Sequence, residues 1–258
     1  MLKFDAKTTK LLEDAYLGAD FSRRRRASFD ALRVEPQDWI VDIGCGNGLL
    51  TVELARAVGD EGRVIGVDPS EDMLSTAWEK CAGYENVELL AGTADEIPLG
   101  DRAADKAVSL QVFEYLEDLP AAAAEARRVL KPGGRLVVGD IHFDTIAWFS
   151  DEPERMQSMV DAWDRHLVER CVPAVLPPIL RDCGFQIEGV TAVPFSDSVL
   201  RPDGLANMMM LLMERYVVEN KLVAADVAAA WRQEQRDLAA AGRFFFSLTH
   251  FVVSATKL

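Results

Sequence analysis

The chain has 258 residues, 49% of them hydrophobic and 27% charged, and its 28 Lys and Arg against 42 Asp and Glu leave a net charge of −14. That composition excludes a disordered or collagen-like chain, and the acidity argues against nucleic acid as a partner. The longest strongly apolar run, Met208 to Met213, falls far short of the ~20 residues that cross a bilayer, and Met1 to Asp20 is interrupted by Asp5, Glu13 and Asp14; neither membrane insertion nor export is expected, and the compartment is read as cytoplasmic.

Residues 1–34 read as a helical cap: apolar pairs at Leu11/Leu12 and Ala15/Tyr16 come first, then Ser22 as an N-cap before a helix holding Phe29 and Leu32. Arg23 to Arg26 within it read as a solvated basic face. From Trp39 short apolar runs alternate with helical stretches. Strands are expected at Trp39 to Ile43, Arg63 to Asp68, Val87 to Ala91, Lys106 to Gln111 and Arg135 to Asp140, with helices at Leu49 to Val58, Glu71 to Cys81 and Leu119 to Leu130. Lys131-Pro132-Gly133-Gly134 ends the last of these. This repeat defines an α/β doubly wound sheet, with residues 35–145 as its ligand-binding core and the chain as a single domain.

Two amphipathic insertions follow, at 146–175 and 196–242. Met156, Met159, Val160, Trp163 and Leu167 share one face of the first, and Leu205, Met208, Met209, Leu212 and Tyr216 one face of the second. A short helix at Ile179 to Asp182, a strand at Phe185 to Ala192 and a last strand at Phe244 to Ala255 complete the chain. Cys45, Cys81, Cys171 and Cys183 lack CxxC spacing and read as free thiols, and no metal set is expected.

The chemistry is concentrated in Asp42-Ile43-Gly44-Cys45-Gly46-Asn47-Gly48, an acid and three glycines between a strand and a helix. Glycines admit a ligand close to the backbone, and the free N–H groups at the helix start suit a carboxylate. Asp42 supplies charge for an ammonium group. Asp68 ends the next strand, where an acid accepts both hydroxyls of a ribose. Ribose, ammonium and carboxylate together describe an amino-acid nucleoside. Gly92-Thr93-Ala94-Asp95 leaves room for a planar base, with Pro69, Ser70 and Met73 as the opposite wall.

These segments resemble the class I S-adenosylmethionine-dependent methyltransferases, and most of all the quinone-biosynthesis C-methyltransferase subgroup known as methyltransferase type 11. Ser109 to Tyr115 and Arg128 to Leu136 look like that family's later motifs, and the matching stretch is about Trp39 to Asp140. The resemblance implies S-adenosylmethionine as cofactor and a Rossmann-like, seven-stranded, mostly parallel sheet with helical lid insertions and an antiparallel last strand. It also implies that Ser109 to Gln111 lie under the methionine portion. Relatives usually read Gly-Asp-Ala where this chain has Gly92-Thr93-Ala94, so the base contact is expected to pass to Asp95.

A short-chain dehydrogenase would share the loop and the acid, but its Tyr-x-x-x-Lys is absent: Asp20, Glu88, Leu119 and Asn220 stand four residues after the four tyrosines. The expected reaction is in-line methyl transfer to a small apolar or aromatic molecule. A peptide or protein acceptor, and a non-enzymatic cofactor-binding scaffold, are the alternatives. Tyr16, Tyr115, His142, Trp148, Trp163 and Met209 are the candidate acceptor contacts. His142, two residues past the fifth strand, is the candidate base. His166 reads as a partly exposed, hydrogen-bonded residue and His250 as a core histidine.

Overall fold

A computed structural model of the protein describes residues 16–258. Leu11, Leu12 and Ala15 of the expected cap lie outside those residues. The sheet has seven strands in the order β3-β2-β1-β4-β5-β7-β6: β1 Trp39–Ile43, β2 Arg63–Asp68, β3 Val87–Ala91, β4 Ala104–Leu110, β5 Leu130–Trp148, β6 Phe185–Asp197 and β7 Phe246–Lys257. The first five neighbours run parallel, and β7 lies antiparallel to both β5 and β6. Because the strand order reverses at β1/β4, the crevice beyond the carboxyl ends of those two strands is where an open α/β sheet binds ligands.

Helices α2 Leu49–Val58 and α3 Glu71–Cys81 have the bounds that their sequence predicts. Ser70 caps α3, its hydroxyl accepting from the Met73 N–H at 3.3 Å. Helix α4 Leu119–Val129 is capped by Asp118, which accepts from the Ala121 N–H at 2.8 Å. Its successor strand begins at once, at Leu130 rather than Arg135, and runs on to Trp148. Helix α1 Ala19–Leu32 starts earlier than its sequence suggests; Gly18 is the cap, and Ser22 lies inside, its hydroxyl donating to the Leu17 carbonyl. It packs on β5, β4 and β7.

The insertions form α5 Pro153–Asp164, α7 Leu205–Glu219 and α8 Ala225–Ala240, which pack on one another. No side chain of its own caps α5. Glu234 of α8 does so instead, accepting from the Ser150 hydroxyl and the Asp151 and Glu152 N–H groups at 2.6, 2.7 and 3.2 Å. Between the insertions α6 Val172–Asp182 is longer than expected and holds Pro177 and Pro178 in its interior. Interior prolines cost a helix the hydrogen bonds of their missing N–H groups. They are tolerated because burial of Val172, Leu176 and Leu180 against the sheet outweighs the lost hydrogen bonds.

Candidate active site

The loop after β1 is a run of left-handed turns: Gly44, Gly46 and Gly48 have φ of +70°, +52° and +79°. At Gly44 the constraint is double, since a Cβ there would stand 2.2 Å from Val112 Cγ2. Gly48 is the N-cap of α2, and it turns the chain without lining the cavity. Asp42 is 2% exposed and accepts the Thr51 hydroxyl at 2.6 Å. Burial pushes its carboxyl up to about 7, Thr51 opposing and nearby Asp68 adding to the rise. The Asn47 side-chain nitrogen, in the same loop, is buried without a partner among the described residues.

Asp68 ties two loops together. Its Oδ2 accepts from the Gly46 N–H and its Oδ1 from the Ser70 N–H, both at 2.9 Å. Each oxygen keeps a second lone pair for a ribose hydroxyl. Beyond it, Thr93 and Glu96 exchange backbone hydrogen bonds at 3.4 and 3.3 Å and so close a tight turn. The turn leaves Thr93 and Ala94 on the cavity and directs Asp95 to solvent, so the expected transfer of the base contact to Asp95 is not what the fold provides. Gln111 follows β4 with φ +57°, a strained conformation for a residue with a Cβ, and lines the cavity beside Val112.

The cavity measures about 420 Å³. Asp42, Gly44, Cys45, Gly46, Asp68, Pro69, Ser70 and Met73 line it with Thr93, Ala94 and Gln111, and so do Tyr16, Tyr115, Trp163 and Met209. Besides Gly48 and Asp95, two of the expected acceptor contacts are elsewhere. His142 lies between Ile141 and Phe143, both of which line the cavity, and alternation along β5 turns it to the opposite face. There it packs near Phe251, with Asp144 and Cys171 close by; Arg170 pairs with that Asp144 at 3.0 Å. Trp148 packs edge-on to Trp231 and Phe246, with centroids at 5.5 and 4.8 Å, and roots the lid.

Several residues enter the site that sequence reasoning did not assign. Arg24 is 2% exposed, not solvated, with its guanidinium 4.0 Å above the Phe21 ring. Burial lowers its pKa to about 10, which leaves it cationic at neutral pH. Glu114 is buried beside it. Burial raises the Glu114 carboxyl above the usual range, with Tyr115 and the Arg24 charge opposing, and burial beside Glu114 raises that of Asp140; Glu114 Oε2 and both Asp140 oxygens are buried without a hydrogen-bond partner among the described residues.

His166 is also buried. Its ring Nδ1 donates to the Trp163 carbonyl, which additionally accepts the His166 N–H at 3.1 Å. The ring stands 3.8 Å from that of Trp163, 5.7 Å from Tyr216 and 6.0 Å from Tyr115, centroid to centroid. Burial lowers its pKa to about 4, so it is neutral at physiological pH, with Nε2 left as the acceptor nitrogen. The turn that carries it is stitched to the sheet: Val168 and Glu169 N–H donate to the Glu114 carbonyl at 2.9 and 3.1 Å, and Phe143 N–H to that of Arg170 at 3.0 Å.

An acid in an acid-and-glycine loop, a second acid at the next strand end and a slot of small residues beyond it are arranged along one cavity. Residues 41–138 match the methyltransferase domain family. The chain is also similar to demethylmenaquinone methyltransferase of Staphylococcus aureus, 42% identical over 97 residues, which are 38% of this chain and 40% of that one. Residues 41–138 form a methyltransferase domain of the class I S-adenosylmethionine-dependent kind. Its cofactor is S-adenosylmethionine, and the orphaned Asn47 amide, the close backbone at Gly46 and the spare lone pairs of Asp68 suit that molecule's carboxylate and ribose.

A longer similarity, 35% identity over 231 residues, is to a 37.1 kDa protein in a Streptomyces fradiae transposon, covering 88% of this chain and 64% of that one. The chain thus spans less than two thirds of the length of either curated relative. In fold it is similar to geranyl diphosphate methyltransferase solved with S-adenosylmethionine: TM-score 0.58, 18% identity, covering 92% of this chain and 85% of that one. Among the described residues no helix is long and apolar enough to cross a membrane.

Proposed function

We propose that this methyltransferase methylates a small apolar or aromatic molecule, held in the cavity against the cofactor. The observation that carries this reading is the continuity of one cavity of about 420 Å³ from Asp68 to a lid wall of Trp163, Met208, Met209 and Leu212. That size and lining suit a small molecule. A peptide acceptor would need a long groove, and three of those four side chains are instead buried in the lid. A scaffold without chemistry would have no use for an apolar chamber beyond the cofactor side.

When bound, S-adenosylmethionine supplies an electrophilic methyl group on a sulfonium. Asp42, Asn47, Asp68 and the glycine loop hold its polar groups, and Pro69, Ser70, Met73, Thr93 and Ala94 frame its base. Phe143, Trp163, Met209 and Tyr115 exclude water from the acceptor, which favours a reaction in which charge is lost. Where the acceptor atom carries a proton, His166 takes the role that the sequence suggested for His142, because its neutral ring lines the cavity and the Trp163 carbonyl fixes its tautomer.

Calorimetry with S-adenosylhomocysteine and a labelled-methyl assay against aromatic and isoprenoid small molecules test the reading. Binding by the wild type, at least tenfold weaker in Asp68→Ala, and transfer to a member of the panel are expected. Wild-type affinity in Asp68→Ala would sink the cofactor assignment; transfer to peptides alone would sink the acceptor class.

A further inference from the structure

On the face of β5 turned from the cavity, three side chains of metal-ligating type converge. His142 and Asp144 stand two apart on the strand, and Cys171 opens α6, 27 residues after Asp144. One ligand atom from each lies within 4.8 Å of the other two, and none of the three residues lines the cavity. Sequence spacing gives no sign of the set, because its members come from two segments that the fold brings together. The Cys171 thiol caps no N–H group of α6; it donates to Asp144 Oδ2 at 3.2 Å. His142 Nδ1 is buried without a hydrogen-bond partner among the described residues.

The donor chemistry selects the ion. Thiolate, imidazole and carboxylate are ligands of zinc, whereas magnesium and calcium take oxygen alone. With bonds of about 2.0–2.3 Å, the ligand atoms of a tetrahedral zinc site stand about 3.3–3.7 Å apart, so the cluster closes by about 1 Å through side-chain rotation. The thiolate and the carboxylate together match the two charges of the ion. Arg170 does not stand in the way: it takes Asp144 Oδ1 at 3.0 Å, leaves Oδ2 turned to the sulfur, and has Asp164 at 2.9 Å as a second partner. Asp144 is exposed and the other two half-buried, which gives the ion an entry path and a water its fourth position. On binding, the S–H bond breaks, the sulfur keeps the electron pair and donates it to the metal, and the proton leaves to solvent; nothing is oxidised or reduced.

We propose that His142, Asp144 and Cys171 form a zinc site outside the cavity, and that the ion fastens the turn carrying His166 to β5. Phe143, between the two strand ligands, donates its N–H to the Arg170 carbonyl at 3.0 Å, so the ion clamps a junction that this backbone bond already makes. Ile141, Phe143 and His166, on the same two segments, line the cavity. The ion therefore supports the cavity wall and takes no part in methyl transfer.

The probes are zinc chloride, titrated against a chromophoric chelator, and cobalt chloride as its spectroscopic stand-in, with magnesium chloride as the control. The wild type is expected to take up one zinc per chain with release of a proton, and to ignore magnesium. Cys171→Ser and His142→Ala should each bind zinc at least tenfold more weakly, while Cys183→Ser, which removes the thiol just past the other end of α6, should bind as the wild type does. Cobalt should give a thiolate-to-metal charge-transfer band in the wild type and in Cys183→Ser and none in Cys171→Ser. If a thermal melt shows that His142→Ala fails to fold, the two serine variants carry the test. No zinc uptake by the wild type overturns the proposal, as does uptake unchanged in Cys171→Ser, lost in Cys183→Ser or matched by magnesium. Hydrogen exchange reads the fastening: zinc should slow the Phe143, Val168 and Glu169 amides at least fivefold in the wild type and not in Cys171→Ser. A bound ion that leaves those amides unchanged would overturn the role given to it.

Discussion

Alanine at Gly44 and at Gly46 separates what the glycine loop does for folding from what it does for binding. Both positions are left-handed, at φ +70° and +52°, so either substitution costs about 1–2 kcal/mol in backbone strain. They differ in what a Cβ meets. At Gly44 it would lie 2.2 Å from Val112 Cγ2, and forcing Val112 aside adds about 1–3 kcal/mol of overpacking; at Gly46 it meets no protein atom within 4 Å. Gly44→Ala should therefore lose about 2–5 kcal/mol, which in a chain of this length lowers Tm by roughly 5–15 °C. Gly46→Ala should lose only a few degrees, yet weaken S-adenosylhomocysteine at least tenfold, because the methyl group occupies the close approach that the loop offers a ligand. Thermal melts with calorimetric titration read both quantities. Adding Val112→Ala to Gly44→Ala should restore most of the lost stability, a coupling that distant residues would not show. Wild-type affinity in Gly46→Ala, or no rescue by Val112→Ala, would refute this account of the loop.

The elevated Asp42 pKa makes cofactor binding depend on pH. Burial raises it from 3.8 to about 7 in the free protein, so Asp42 is protonated below that value, whereas a neighbouring ammonium favours the carboxylate. Affinity for S-adenosylhomocysteine should rise up to about tenfold per unit towards pH 7 and level off above it, with proton release on binding below pH 7; Asp42→Asn should flatten the profile. The same shift makes the free protein lose stability as pH rises from about 4 to about 7, since there the folded state binds the proton that the unfolded chain has released, and urea melts across that range check the sign. His142→Ala should leave turnover within about twofold, while His166→Gln should lower kcat by ~10²-fold for an acceptor that must shed a proton and little for one that need not. Turnover should survive millimolar EDTA, and its loss would call for a metal that the cavity residues do not suggest.

The parts of the site legible in the sequence are those made by one short segment each. The loop from Asp42 to Gly48 and the acid at Asp68 owe their positions to the strand directly before them, and β1, β2, α2 and α3 begin and end where periodicity and capping put them. The parts that were not legible depend on elements meeting across the fold. Four consecutive arginines cannot all face one way on a helix of 3.6 residues per turn. Arg24 falls on the stripe of Phe21, Ser28 and Leu32, and that spacing was the available sign that it turns inward. The alternation Ile141-His142-Phe143 similarly carried the information that His142 faces away from an apolar cavity. For His166 the spacing, three residues after Trp163 and seven after Met159, was a weaker sign because the helix ends before it. It lies just past the end of α5, and its burial depends on the Glu114 carbonyl holding the following turn, a contact between segments about fifty residues apart, as roughly half a turn's misplacement there would send the ring to solvent. Local patterning thus wrote the loop from Asp42 to Gly48 and the acid at Asp68, while the part of the cavity wall where Arg24, Glu114 and His166 arrive from a helix, a strand end and a lid turn is a product of the tertiary fold.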